Sequence, residues 1–368
     1  MIWFGLATLP QLEVRGVWMT TTANRALATK EDIRMSFRRL KRIGINTIYL
    51  EVWKDGYTQF PSITMKKLIG VDRKPSLGRR DLLAEAVAEA KKNDLRLIAW
   101  FEYGFMAAHE GTDNHLVRQF PDWMTTTSDG KQISSQNPFV WMNPMRPESQ
   151  DLLLGIMKEA VAKYEIDGVQ LDDRIAWPVT MGYDEYTTSQ FRKENGGENP
   201  PSNHQNSQWM KWRANKVTAF AGRMQRELKA VRRDIEISIS PAIFPWSYEN
   251  YLCNWVEWQK NGWMDEYVPQ VYRQSAAAAV SEWKRQIEHS VADHKLRMGI
   301  MVNSGEFVKP WNEIKLELDA SKGYGHVLWF SKGVLDRYED DFRRYYERKS
   351  GLANASPQIS NHDRDQLR

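Results

Sequence analysis

Two adjacent carboxylates, Asp172 and Asp173, end the stretch Tyr164-Glu-Ile-Asp-Gly-Val-Gln-Leu-Asp-Asp-Arg174, where an apolar run gives way to paired acids. Like charges this close interact, so their titrations are coupled. A protonated acid for a leaving oxygen, a negative partner for an oxocarbenium-like centre and ring faces for sugars are the minimal kit for glycoside cleavage. The chain holds more of that kit in Glu51, Glu102 and 16 tryptophans within an aromatic fraction of 12%. It has no serine in a Gly-x-Ser-x-Gly turn and no Gly-rich phosphate cradle. His109 and His115 share one loop but lack ligand spacing, so neither a metal nor another cofactor is expected.

The elements that must hold these residues follow a regular pattern. Apolar or β-rich runs occur at Val14 to Thr20, Asn46 to Trp53, Leu95 to Glu102, Gly168 to Leu171, Ile235 to Ser240, Glu266 to Tyr272, Arg297 to Val302 and His326 to Ser331. A helical stretch follows each, at about 30–43, 81–93, 209–233, 248–261, 275–290, 310–321 and 335–348, with the helix at 148–164 feeding the fourth strand. Long loops run from Tyr103 to Pro147 and from Arg174 to about Ser207, the second with no periodic apolar face. Eight β/α units without a Gly-rich fingerprint after the first strand predict an α/β fold, a single closed (β/α)8 barrel with long βα loops, over 13–349. Residues 1–12 read as an N-terminal extension, and the polar tail 350–368 as disordered.

In such a barrel the carboxyl ends of the strands face one cleft. That places Trp18, Glu51, Trp53, Trp100, Glu102, Asp172, Asp173, Gln270, Tyr272, Asn303 and Trp329 around it. Consecutive strand side chains point to opposite faces, but at a strand's end both aspartates can turn inward. An adjacent pair suits substrate-assisted cleavage, in which one carboxylate orients a 2-acetamido group and the other protonates the leaving group. The bland readings stand beside this: Asp-Asp as a helix cap or loop ligand, Glu51 and Glu102 as buried partners of Arg15 or Arg174, and tryptophans as core.

The net charge of +4, from 51 basic and 47 acidic residues, gives no electrostatic case for nucleic acid. One cysteine, Cys253, excludes an internal disulfide and says little about compartment. The apolar Met1 to Pro10 lacks a basic start and a small-residue cleavage site, so it does not read as a signal peptide and is too short to span a bilayer. No protein partner is inferable.

The motifs Glu13-Val-Arg-Gly-Val-Trp18, Gly44-Ile-Asn-Thr-Ile-Tyr49, Ala99-Trp-Phe101, Asn143-Pro144, Asp167-Gly-Val-Gln-Leu-Asp-Asp173, Ser238-Ile-Ser-Pro241, Gly262-Trp-Met-Asp265 and Pro269-Gln-Val-Tyr272 cover nearly the whole barrel. In order and spacing the chain resembles the glycosyl-hydrolase-like 10 family of bacterial barrel proteins. That resemblance implies a glycosidase of the cell envelope, periplasmic or extracellular, acting on peptidoglycan-like glycan with N-acetylated amino sugars. Chitinase-like barrels offer an analogy for the acids at strand four, Tyr272 at strand six and Trp329 at strand eight.

On this reading Asp173 is the general acid, Asp172 orients the acetamido group or stabilises the cation, and Glu102 is the reserve acid. Gln270 and Tyr272 position the sugar, while Trp18, Trp100, Trp177 and Trp329 supply stacking. Arg15 is the candidate to hold carboxylates in place, and Glu51, Arg174 and Asn303 join the substrate-binding set. Two alternatives remain: a retaining mechanism on neutral sugars, with Asp172 as nucleophile and Glu102 as acid, and a non-catalytic barrel that binds glycan.

Overall fold

The structure, a computed structural model, describes residues 13–23, 25–109, 114–134 and 138–349. The extension expected over 1–12 and the tail expected over 350–368 lie outside the described residues. Eight parallel strands form one curled sheet: β1 (Arg15–Met19), β2 (Thr47–Glu51), β3 (Arg96–Phe101), β4 (Gly168–Asp172), β5 (Glu236–Ser240), β6 (Glu266–Tyr267), β7 (Met298–Met301) and β8 (His326–Trp329). Sequence neighbours pair from β1 to β6, and β7 pairs with β8, which returns to β1. The seam between β6 and β7 is closed by parallel bridges Tyr267↔Leu296 and Gln270↔Gly299. Pro269, which has no N–H to donate, cuts β6 short, yet its carbonyl still accepts from Gly299 N at 3.1 Å. The expected (β/α)8 barrel is therefore present, strand for strand.

Alternation along the strands sorts the core into two layers. Val17, Met19, Ile48, Leu50, Leu97, Ala99, Val169, Leu171, Ile237 and Ile239 face the helices in one buried cluster. Trp18, Tyr49, Ile98, Trp100, Val268, Val327 and Phe330 fill a second cluster, which we place inside the ring. Its polar members form a relay: Trp18 Nε1 donates to Gln170 Oε1 (2.7 Å), Gln170 Nε2 to Ser238 Oγ (2.9 Å), and Ser238 Oγ and Tyr49 Oη both to Glu266 Oε1 (2.7 and 2.8 Å). Buried polar groups demand such partners. Gly16 makes room for this filling, because a Cβ there would stand 2.7 Å from the Tyr49 ring.

The helices carry their own stop and start signals. The first, α1 (Lys30–Ile43), is capped by Thr29 Oγ1 accepting from Asp32 N at 3.0 Å and ends at Gly44 with φ +108°. The structure departs from sequence expectation in the loops. The segment after β4 contains a helix, Glu185–Glu194, which the hydrophobic pattern hides because its buried face is Thr187, Thr188 and a single Phe191. The helix expected over 248–261 splits into Trp246–Tyr251 and Trp255–Lys260 around Leu252, whose φ is +52°. The last one divides likewise into Ser331–Asp336 and Glu339–Lys349.

Candidate active site

β4 points Gly168, Gln170 and Asp172 along one face, so Asp172 tops the inward row and Asp173 is the first residue beyond the strand. Asp172 is buried and fully engaged. Its Oδ1 accepts from Asp173 N at 2.9 Å and from Gln270 Nε2 at 2.5 Å, and its Oδ2 pairs with Arg174 Nη1 at 2.5 Å. Gln270 Nε2 also reaches Ser240 O at 3.1 Å, which ties the chain just beyond β6 to the end of β5. The Asp173 side chain is 32% exposed, and its Oδ1 lies 3.2 Å from the same Arg174 nitrogen. Burial raises the proton affinity of both acids; at Asp172 the neighbouring Asp173 charge adds to it, while Arg174 opposes the rise at each. Of the pair, Asp173 is the member that solvent, and hence a substrate, can reach.

Arg174 is placed by a glycine. Gly104 takes φ +45°, and a Cβ there would stand 2.5 Å from Arg174 O, so only glycine lets the chain leaving β3 lie against the chain leaving β4. Phe105 N then donates to Arg174 O at 3.0 Å. The contact brings the guanidinium beside Glu102, whose carbonyl is 3.5 Å from Arg174 Nη1.

A second acid cluster sits at the ends of β2 and β3. Lys54 Nζ contacts Glu102 Oε2 at 3.0 Å, Glu51 Oε2 at 3.3 Å and Thr22 Oγ1 at 3.1 Å. Glu51 is fully buried and also accepts from Thr21 N at 3.1 Å and from the Thr21 hydroxyl. Burial and then the Glu102 charge push Glu51 up to about 7. At Glu102 burial acts upward, but the charges of Lys54 and Arg174 overcome it, and the group stays below the ordinary glutamate value. One ammonium thus serves two carboxyls, and of the two Glu51 binds its proton the more tightly.

Several residues expected at the cleft are elsewhere or enclosed. Arg15 stands at the amino end of β1 with its guanidinium 5.2 Å from the Tyr346 ring centroid, so it cannot hold the carboxylates at the opposite end. Trp18 and Trp100 are 1% exposed and Trp177 is 0%, the last donating from Nε1 to Thr125 Oγ1 at 3.0 Å. Rings so enclosed have no face to offer a sugar and act as packing. Glu51, with both oxygens taken, supports Glu102 instead of touching substrate. Asn303 is buried against Gly333 of the Ser331–Asp336 helix, its Oδ1 without a hydrogen-bond partner.

What the structure does gather is Asp172, Asp173, Arg174, Gln270, Glu102, Tyr272 and Trp329. Tyr272 and Trp329 are half-buried, 6.2 Å apart between ring centroids and 31° between planes, and Trp329 caps the enclosed Trp18 and Trp100 at 6.1 and 5.9 Å. The Asp172 and Asp173 charges raise Tyr272 further above its ordinary value, after burial, so its hydroxyl stays a donor. Lys54 and Thr21 were missed from sequence. The Asp55-Gly56 turn joining Trp53–Lys54 to Tyr57–Thr58 was the available signal that Lys54 folds back over Glu51. Among the described residues no group of three or more His, Cys, Asp or Glu is arranged to hold a metal ion. Among them, too, no helix is long and apolar enough to cross a membrane.

Comparison with known proteins matches residues 13–313 to the family described as glycosyl hydrolase-like 10. The glycosyl hydrolase DigH of Escherichia coli O6:H1 is 25% identical over 307 residues, an alignment covering 74% of this chain and 64% of that protein. This chain thus spans about 64% of the length of that curated relative. Two solved structures share the fold. The PgaB (BpsB) glycoside hydrolase domain from Bordetella bronchiseptica aligns with TM-score 0.63 at 12% identity, over 90% of this chain and 98% of that one. Alpha-L-fucosidase isoenzyme 2 from Paenibacillus thiaminolyticus aligns with TM-score 0.65 at 16% identity, over 93% of this chain and 50% of its own.

Proposed function

The chain belongs to the glycosyl hydrolase-like 10 family, and from that premise we propose that it is a glycoside hydrolase whose acid catalyst is Asp173. The observation that carries this reading is the division of labour in the aspartate pair. Proton affinity is raised at both acids, so access separates them: Asp172 is locked by Gln270, the Asp173 amide and Arg174, whereas the Asp173 side chain is one-third exposed. A solvent-accessible carboxyl whose proton affinity burial has raised is suited to giving a proton to a leaving glycosidic oxygen.

The remaining roles follow from chemistry. Asp172, aligned by three donors, stabilises positive charge at the anomeric centre or orients a 2-acetamido group that attacks it, and the Tyr272 hydroxyl donates to the same group. Trp329 is the ring available to lie under the sugar. The substrate we favour is an N-acetylated amino-sugar polymer of the peptidoglycan type, in an envelope setting, as the family resemblance implies. The retaining alternative fits less well, since both Asp172 oxygens are occupied and Lys54 and Arg174 keep Glu102 ionised, unsuited to an acid's role.

The test is incubation of the purified chain with denuded peptidoglycan, chitin oligomers and neutral glycans, with products read by mass. Release of amino-sugar fragments with new reducing ends is expected. Cleavage of neutral glycans alone would favour the retaining route, and glycan affinity with no product from any substrate would point to a binding barrel.

A further inference from the structure

Most of the indoles near the barrel are enclosed: Trp18, Trp100, Trp141, Trp177 and Trp255 are each at most 1% exposed. Trp246 is the contrary case, 44% exposed, and among the described residues it is the one aromatic ring in the set of exposed large apolar side chains, with Met35, Ile63, Val231, Val291, Val308 and Leu316. An exposed indole leaves apolar surface in water at a cost of about 25 cal/mol per Å2, so its position is informative.

That position is on the acid side of the barrel. β5 leaves the ring at Ser240, the register partner of Asp172, and Trp246 opens the short helix six residues later. The far end of this helix is stitched to the chain that carries Asp173 outward: Trp177 N donates to Tyr251 O and Val179 N to Asn250 O, each at 2.9 Å. One side of the Trp246 ring meets Tyr251, 5.2 Å between centroids at 42°, and Tyr251 meets the buried Trp141 at 6.0 Å. The indole is therefore braced from the core while keeping surface open to solvent.

We propose that Trp246 is an outer stacking platform for a sugar unit of a glycan chain that extends from the Asp173 site. The occupant is a pyranose ring of the same polymer, because an indole pairs an apolar face with an N–H donor, matching the CH faces and hydroxyls of a sugar, and because the helix that carries the indole is bonded to the chain leaving Asp173 through the 177–179 and 250–251 backbone contacts. The platform rests on the reading of that site as a glycan site. It adds that long chains bind better than short ones.

The experiment compares Asp173→Asn, used to suppress turnover, with Asp173→Asn carrying Trp246→Ala or Trp246→Phe, after thermal melts confirm that all three fold. Binding of glycol chitin, denuded peptidoglycan strands and chitobiose is read by affinity electrophoresis and calorimetry. Expected is a loss of about three- to tenfold on the polymers with Trp246→Ala, partial recovery with Trp246→Phe, and unchanged chitobiose affinity. Equal polymer affinity in all variants overturns the platform alone. If the Asp173→Asn parent binds none of the glycans, the platform falls together with the glycan reading of the site.

Discussion

Lys54 Nζ lies 3.0 Å from Glu102 Oε2, both side chains at most 10% exposed, and this contact decides the charge state of the cluster beside the aspartates. Removing one partner of a buried pair costs about 3–5 kcal/mol, since the other charge stays desolvated. Lys54→Met therefore leaves two buried carboxyls without their cation. At low pH both hold protons and the loss is small, and as pH rises they must ionise in place, so the destabilisation grows. Denaturant unfolding at pH 5 and pH 8 measures it; an equal loss at both would show that Lys54 acts by packing alone.

Glu51→Gln probes the same cluster from its protonated side. The folded-state value of Glu51 is raised to about 7 from an ordinary 4.5, so the folded chain binds the extra proton between those limits. Its contribution to stability is complete below the unfolded value and is lost as pH climbs through about 7, at about 1.4 kcal/mol per pH unit. Glutamine cannot ionise and removes that slope. Relative to the parent, Glu51→Gln should gain stability steadily from pH 4.5 to 7 and level off above, as followed by denaturant midpoints. A flat difference across that window would contradict the assignment.

Arg174 opposes the upward shift of Asp173, so Arg174→Met should raise the proton affinity of that acid. A general acid works while protonated, and the alkaline limb of kcat/KM against pH reports its loss of the proton. The limb should move to higher pH in the variant, with a lower plateau because Asp172 loses its alignment. A limb that stays in place or moves down would mean that Asp173 is not the group titrating.

Two tryptophans assigned opposite duties separate stability from binding. Trp177, fully buried with its Nε1 bonded to Thr125, should cost about 3–5 kcal/mol as Trp177→Ala in denaturant unfolding. Trp329→Ala, at a half-buried ring beside Tyr272, should change stability less and raise KM for glycan. The reverse pattern would exchange their roles.

The architecture was legible because strand and helix periods repeat eight times and the glycine stops fall where needed, as at Gly44. Aspartates at the end of β4 were legible for the same reason: direction along a barrel strand fixes which end a residue occupies. Arg15 shows the limit, since it was grouped with carboxylates at the far end of its own strand. Burial was harder to read. Trp18, Trp100 and Trp177 look no different in sequence from Trp246, and only the inner cluster and the split of the 246–260 helix decide which indole faces water. The helix Glu185–Glu194 stayed hidden because its inner face is threonine. Lys54 escaped notice because its role depends on a hairpin folding it back across two strands.

The most direct measurement is the turnover of Asp173→Asn on the glycan that the parent cleaves, with reducing ends counted and the fold confirmed by melting. A drop of about 10²–10⁴-fold, the usual contribution of a general acid, is expected, with glycan affinity retained. Turnover close to the parent's would contradict the account.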